Sequence, residues 1–374
     1  MLITRRELLA RLPLLAIAGA TGAPAAEEKA DFGAIRWDAW YRKEGDSVFP
    51  QQNLAPERYR NRAPINCAYS DADGMTCNGA QAVLDAEIEA AARAGLSFWA
   101  FDWYAANSSL RKAWDLYQSS ALRNQIAWCP IIGLGDLSPP LSSTSASERE
   151  NKLRAWCNLM QQPNYFKARM GSARRPLLFI FYRENELKTY FGVLDGLRAA
   201  LDNFRRLCAD EGVGNPYIVL FDPAVDVKLF TGSGADAISN YIAGFKSTGN
   251  RKYSELDRQV RAYWARMAAP GYPCVPILQV GWDDRPRLDH PVPWEQGDAK
   301  PAAKSDSYFE MASPEEFAAE VKAADLFMRD HPTQCPARVA LIYSWSECDE
   351  GGCIMPTLGD QDGKYLRALA QTIR

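Results

Sequence analysis

Val339-Ala340-Leu341-Ile342-Tyr343-Ser344-Trp345, followed at once by Ser346-Glu347-Cys348-Asp349-Glu350, is the stretch from which the fold is read. Its first part is an unbroken run of apolar and aromatic residues, the composition of a parallel strand covered on both faces. Its second part is a short polar turn crowded with carboxylates. Working back along the chain, residues 34–41, 96–103, 126–133, 177–182, 217–222, 237–241 and 275–282 are also short apolar runs of strand type. With 339–345 they make eight predicted strands. Helical stretches separate them, the clearest over residues 81–94, where Val83, Ile88 and Ala91-Ala92 share one side and Gly95 supplies the stop. Further helices are predicted over 110–122, 146–161, 187–209, 253–267, 314–329 and 363–373. Ser313-Pro314-Glu315-Glu316 is a capped start with proline at the first helical position.

Eight strands with helical returns predict an α/β fold of the closed kind, a single (β/α)8 TIM barrel, rather than an open doubly wound sheet. No GxGxxG or GxxxxGK[ST] follows the first strand, so the nucleotide-binding version of α/β lacks its fingerprint. A chain of 374 residues accommodates one such barrel, which typically needs about 250, together with elaborated loops. The long irregular segments 42–79, 134–144 and 283–312 all follow strands, on the face where barrel active sites lie. The barrel domain is expected over residues 31–374.

Residues 1–26 have the pattern of an export signal. Thr4-Arg5-Arg6-Glu7-Leu8-Leu9 is a twin-arginine start, Leu12 to Ala20 is apolar, and Ala23-Pro24-Ala25-Ala26 offers a cleavage site. The apolar run is shorter than the roughly 20 residues that span a bilayer, so a periplasmic or secreted protein without stable membrane insertion is expected. A net charge of −3 gives no basic footprint and argues against nucleic acid as a partner. Only His290 and His331 occur, which weakens any scheme built on histidine-ligated zinc or a Ser-His-Asp triad. Among nine cysteines, Cys67 with Cys77 and Cys348 with Cys353 are spaced to close loops in an oxidising compartment, whereas Cys129 sits inside a strand pattern as a small core residue. No CxxC pair suggests structural zinc, and no cofactor is expected.

Polar residues at the carboxyl ends of barrel strands point into the mouth. Those ends carry Trp37, Asp38 and Tyr41, then Asp102, Trp103 and Tyr104, then Tyr182, Tyr241, Trp282, Asp283 and Arg287, and finally Trp345. Carboxylates beside aromatics at successive corners fit a carbohydrate, whose ring faces stack on aromatic rings and whose hydroxyls donate to carboxylates. Glu347 and Glu350, three apart, would point to opposite faces of a strand but converge in a turn. Paired carboxylates are what glycosidic cleavage requires, one donating to the leaving oxygen and the other supporting attack, and one of them is expected to have a raised pKa. A solvated acidic loop or a calcium-binding turn is the alternative reading of these residues. A metal-dependent hydrolase would instead need Asp38, Asp102 and Glu347 to meet around one ion.

At these residues the chain resembles the family 99 glycoside hydrolases of endo-α-mannosidase type and the related WbsX-type proteins. Residues 94–104, AGLSFWAFDWY, are similar to that family's second-strand segment AGIDFWxFxWY. Residues 280–287, VGWDDRPR, are similar to xGWDNTPR, and 345–356, WSECDEGGCIMP, to WNEWxEGxxIEP. The resemblance implies a (β/α)8 barrel that binds carbohydrate and cleaves an α-linked poly- or oligosaccharide with retention. By position it implies Glu350 as acid/base and Glu347 as the base on the sugar 2-hydroxyl, without a metal. Ser346, Cys348 and Met355 depart from the pattern, where Asn, Trp and Glu are usual. A carbohydrate-binding or polysaccharide-export protein without hydrolysis is the alternative on the same barrel.

Overall fold

The computed structural model describes residues 29–41, 49–143, 146–222, 224–244, 247, 249–289 and 307–373. The strands are β1 (Asp31–Arg36), β2 (Cys67–Ser70), β3 (Gly74–Cys77), β4 (Phe98–Asp102), β5 (Ala127–Gly133), β6 (Lys167–Met170), β7 (Ala173–Phe181), β8 (Tyr217–Phe221), β9 (Ala237–Ser239), β10 (Ile277–Gln279) and β11 (Val339–Tyr343). Eight of them pair side by side, all parallel, in the order β10-β11-β1-β4-β5-β7-β8-β9. A parallel bridge between Ile238 in β9 and Cys274 just ahead of β10 brings the two ends of the sheet together. There Val275 N–H donates to Ile238 O at 2.9 Å. The sheet is therefore a nearly closed barrel with helices between its strands, the (β/α)8 architecture read from the sequence.

The strands close because their side chains are apolar on both sides. Leu177, Leu178, Phe179 and Ile180 of β7, and Val339 to Tyr343 of β11, are all buried. Phe179 and Phe221 stack inside at 5.3 Å, and helices such as Gln81–Ala94 and Leu194–Asp210 cover the outside with Ile88, Leu197 and Leu201. Gly95, with φ +82°, ends the first of these in the left-handed conformation that glycine adopts without strain. Ser313 and Glu316 form a reciprocal capping box ahead of Pro314.

The ladder ends earlier than the apolar runs. The first strand stops at Arg36, not 41, because Ser346 Oγ captures both Trp37 N–H (3.1 Å) and Trp37 O (2.7 Å) in place of a neighbouring strand. The runs 237–241 and 275–282 likewise keep only Ala237–Ser239 and Ile277–Gln279 as strand, their ends turning into the mouth. Two hairpins were not predicted. β6 pairs antiparallel with β7, and β2 with β3 inside segment 42–79, where a Cys67–Cys77 disulfide staples the register. Cys348 and Cys353, spaced in the sequence as a second loop closure, are buried free thiols, and Cys129 is a buried core thiol. The export segment 1–26 lies outside the described residues. Among the described residues no helix is long and apolar enough to cross a membrane.

Candidate active site

β11 leads directly into the site. After Trp345 the chain tightens into a 3-10 turn, Cys348–Glu350, closed by Glu350 N–H to Glu347 O at 3.3 Å. In 3-10 geometry residues three apart eclipse, so Glu347 and Glu350 fall on one side instead of alternating. Gly351 leaves the turn at φ +67°, and a Cβ there would meet the backbone nitrogen of Asp283 at 3.3 Å, so glycine serves both needs. Ser344 Oγ accepts from Glu347 N–H at 2.7 Å and fixes the turn to the strand end.

Both glutamates meet one guanidinium. Arg287 Nη1 donates to Glu350 Oε1, Nη2 donates to Glu347 Oε2 at 3.3 Å, and Nε donates to Asp349 Oδ2 at 2.7 Å. Asn53 Nδ2 supports Asp349 from the other side at 3.1 Å. Tyr343 Oη donates to Glu350 Oε2, and Tyr241 Oη to Glu347 Oε1 at 2.6 Å. One cation thus faces three carboxylates. Burial, and then the charge of Glu350, push the Glu347 carboxyl well above the usual range, with Arg287 opposing them. Asp102, at the end of β4, reaches Tyr241 Oη at 3.1 Å, and burial pushes its carboxyl up to about 8.

These groups line a cavity of about 470 Å³ at the carboxyl ends of the strands, within the size range of small-molecule sites. Trp37, Asp102, Tyr104, Tyr241, Trp282, Arg287, Glu347 and Glu350, all singled out from the sequence, share its wall. Leu110, Phe181, Arg183 and Ile242 complete it. Trp282 leans on Tyr343 with ring centroids 5.8 Å apart, which holds its face in position.

The other residues read as mouth positions lie elsewhere. Asp38, Tyr41 and Trp345 belong to a sealed polar knot behind the barrel wall. Arg36 Nη2 bonds Asp38 at 2.7 Å and Glu87 at 2.7 Å, while Tyr41 Oη and Trp345 Nε1 donate to Glu87 at 2.6 and 3.0 Å. Because Glu87 belongs to the covering helix Gln81–Ala94, Tyr41 and Trp345 face that helix and not the mouth. Trp103 packs among Trp114, Trp128 and Trp156, with Arg111 4.2 Å over its ring. Tyr182 bonds Glu184 at the rim, at 2.7 Å. Asp283 is buried between Arg62 and Arg285, tying the loop after β10 to the one after β1. Among the described residues no three His, Cys, Asp or Glu side chains converge as metal ligands.

The supports were missed at the sequence level. Tyr343 was read only as strand, although alternation along β11 turns it inward beside Leu341. Arg36 closes a strand whose residues 32–35 carry no polar side chain, and a buried guanidinium in such a run signals a partner carboxylate.

Fold and site together define a (β/α)8 barrel with a carboxylate pair at the end of the eighth barrel strand. No protein-family model matches the chain, and no curated protein matches it. Among solved structures the chain is similar to the GH99 endo-α-mannosidase of Bacteroides thetaiotaomicron. Over 91% of this chain and 95% of that one, the TM-score is 0.58 at 13% identity. The same enzyme in complex with bis-tris propane aligns over 91% and 94%, with TM-score 0.56 and 13% identity. This likeness is one of fold.

Proposed function

We propose that the chain is a retaining glycoside hydrolase acting on an α-linked poly- or oligosaccharide, with Glu350 as acid/base and Glu347 as the assisting base. The observation that carries this reading is the placing of both carboxylates on Arg287 in the floor of a cavity walled by Trp37, Tyr104 and Trp282. Aromatic faces offer stacking surfaces to sugar rings, and the glutamates offer the paired acid and base that cleavage needs. The raised affinity of Glu347 for protons suits a base that must take a proton from a sugar hydroxyl, since a strongly acidic carboxyl would return it. Glu350 is steered by Tyr343 and Arg287 toward the same space. The fold shared with an endo-α-mannosidase supports an α-linked substrate.

The twin-arginine start and the Cys67–Cys77 disulfide fit a working place outside the cytoplasm, in the periplasm or the medium. The test is digestion of α-mannans and bacterial exopolysaccharides by the purified mature protein, followed by proton NMR of the first anomer formed. The expected result is release with the starting anomeric configuration. Release of the opposite anomer would overturn the retaining assignment. Sugar bound by native protein but never cleaved would recast the chain as a carbohydrate-binding barrel.

A further inference from the structure

Tyr241 Oη has one hydrogen and two carboxyl neighbours, Glu347 Oε1 at 2.6 Å and Asp102 Oδ2 at 3.1 Å. A phenol donates one hydrogen bond, so it cannot serve both carboxylates. If both were charged, one would face the phenol's lone pairs inside a buried site, at a cost of the kind borne by an unpaired buried charge. The conflict disappears when one carboxyl carries a proton and itself donates to Oη. The surroundings decide which one. Burial and the Glu350 charge raise Glu347 as well, but Arg287 at 3.3 Å opposes them and favours its charged form, whereas no ion pair is recorded for Asp102 among the described residues. Asp102 Oδ1 is moreover buried with no hydrogen-bond partner among the described residues, which a neutral carbonyl oxygen tolerates far better than a charged one.

We propose that Asp102, Tyr241 and Glu347 form one hydrogen-bonded chain in which Asp102 is the neutral donating end and Glu347 the charged accepting end. Asp102 is then a positioning residue that keeps the Tyr241 hydrogen committed to Glu347. This inference rests on the reading of Glu347 as a base, and it falls outside the motif resemblance, because Asp102 occupies an unspecified position of the segment AGIDFWxFxWY. The groups acting on Asp102 are its neighbour Tyr104, Arg183 after β7 and Tyr241 after β9, with Glu347 after β11 sharing the Tyr241 hydroxyl and the charge of Asp38 felt from behind the wall. Burial is the strongest influence among them and favours the neutral form, Asp38 adds to it, and Arg183 opposes it. When Asp102 loses its proton at high pH, its charge competes for the Tyr241 hydrogen, and Glu347 loses its orientation.

Two readouts separate this inference from the glycosidase reading. The first needs no activity: infrared difference spectra of the native protein across pH 6 to 9 should contain a protonated-carboxyl band that titrates near 8 and is missing in Asp102→Asn. Burial pushes the Glu320 carboxyl up to about 8 as well, so the variant is what isolates Asp102. No such variant-sensitive band would overturn the proposal whether or not sugar is cleaved. The second is the shape of the kcat/KM profile. An alkaline fall centred near pH 8 is expected in the native protein and should vanish in Asp102→Asn, whose amide donates to Tyr241 at every pH. An unchanged alkaline fall in that variant would sink the proposal while leaving the hydrolase intact. Tyr241→Phe guards against a misfolded first variant. It should lower kcat/KM roughly tenfold or more, as for loss of a hydrogen bond to a charged group. In its background, adding Asp102→Asn should leave the profile unmoved. A full additive loss in the double variant would contradict the chain.

Discussion

Two buried charge clusters lie near the end of the last barrel strand, and their contrast separates a packed structural cluster from the proposed catalytic one. Behind the wall, Arg36 faces Asp38 and Glu87, with Tyr41 and Trp345 donating to the same glutamate, and every member is buried. In the cavity, Arg287 faces Asp349, Glu350 and Glu347, while Asp102 adds a fourth carboxyl with no ion pair recorded among the described residues. The rear cluster is closer to balance and packs against the covering helix through Glu87. The front cluster carries surplus negative charge and opens on a space sized for a sugar. Surplus charge in a low-dielectric site raises proton affinity, and access to a ligand turns that affinity into acid–base function.

The contrast breaks most sharply at Glu347. Glu347→Gln should lower kcat/KM by about 10²–10⁴-fold, the range for a lost general base, with the melting temperature unchanged or raised because surplus charge is relieved. A stability loss with activity preserved would assign Glu347 to structure instead. The reverse holds at the rear. Arg36→Ala strands Asp38 and Glu87 and should cost about 3–5 kcal/mol in denaturant unfolding, as for one partner removed from a buried ion pair.

The tryptophans sharpen the same division. Trp345→Ala empties a fully buried site and loses the bond to Glu87, so about 3–5 kcal/mol of stability should go. Trp282→Ala should mainly weaken binding of an oligosaccharide, measured by calorimetry, with a much smaller change in melting. Equal destabilisation by both would mean that Trp282 is core.

The remaining contrast is in pH dependence. Burial pushes Asp102 and Glu320 up to about 8, so the folded chain holds protons there that the unfolded chain releases near pH 4. Folding is then favoured most at and below about pH 4 with respect to these two groups, and that contribution falls as pH rises toward 8. Thermal melts should show the decline over this interval, shallower in Asp102→Asn. A native stability independent of pH there would contradict the protonated state.

The barrel was legible because eight apolar runs and their capped helices obey local rules that tertiary context seldom reverses. Strand ends were less legible. Trp37 leaves the ladder only because Ser346, more than 300 residues away, takes its backbone groups, and no local pattern announces that. The same limit explains Trp345 and Tyr41. Their types and positions suit a mouth, but Glu87 on the covering helix draws both to the other side of the wall. Glu347 and Glu350 were readable as a pair because a turn with three residues per revolution is implied by their spacing. Arg287, which holds them, was readable only as a strand-end residue. The hairpin β2–β3 was hidden in a polar loop and marked only by its two cysteines.

The most direct test of the account compares native protein with Glu350→Gln on one α-linked polysaccharide, following new reducing ends and the melting curve of each. Steady release by the native protein is expected, with none above background by the variant and superimposable melts. Equal release by both proteins would remove Glu350 from the chemistry and contradict the assignment of this cavity as the hydrolytic site.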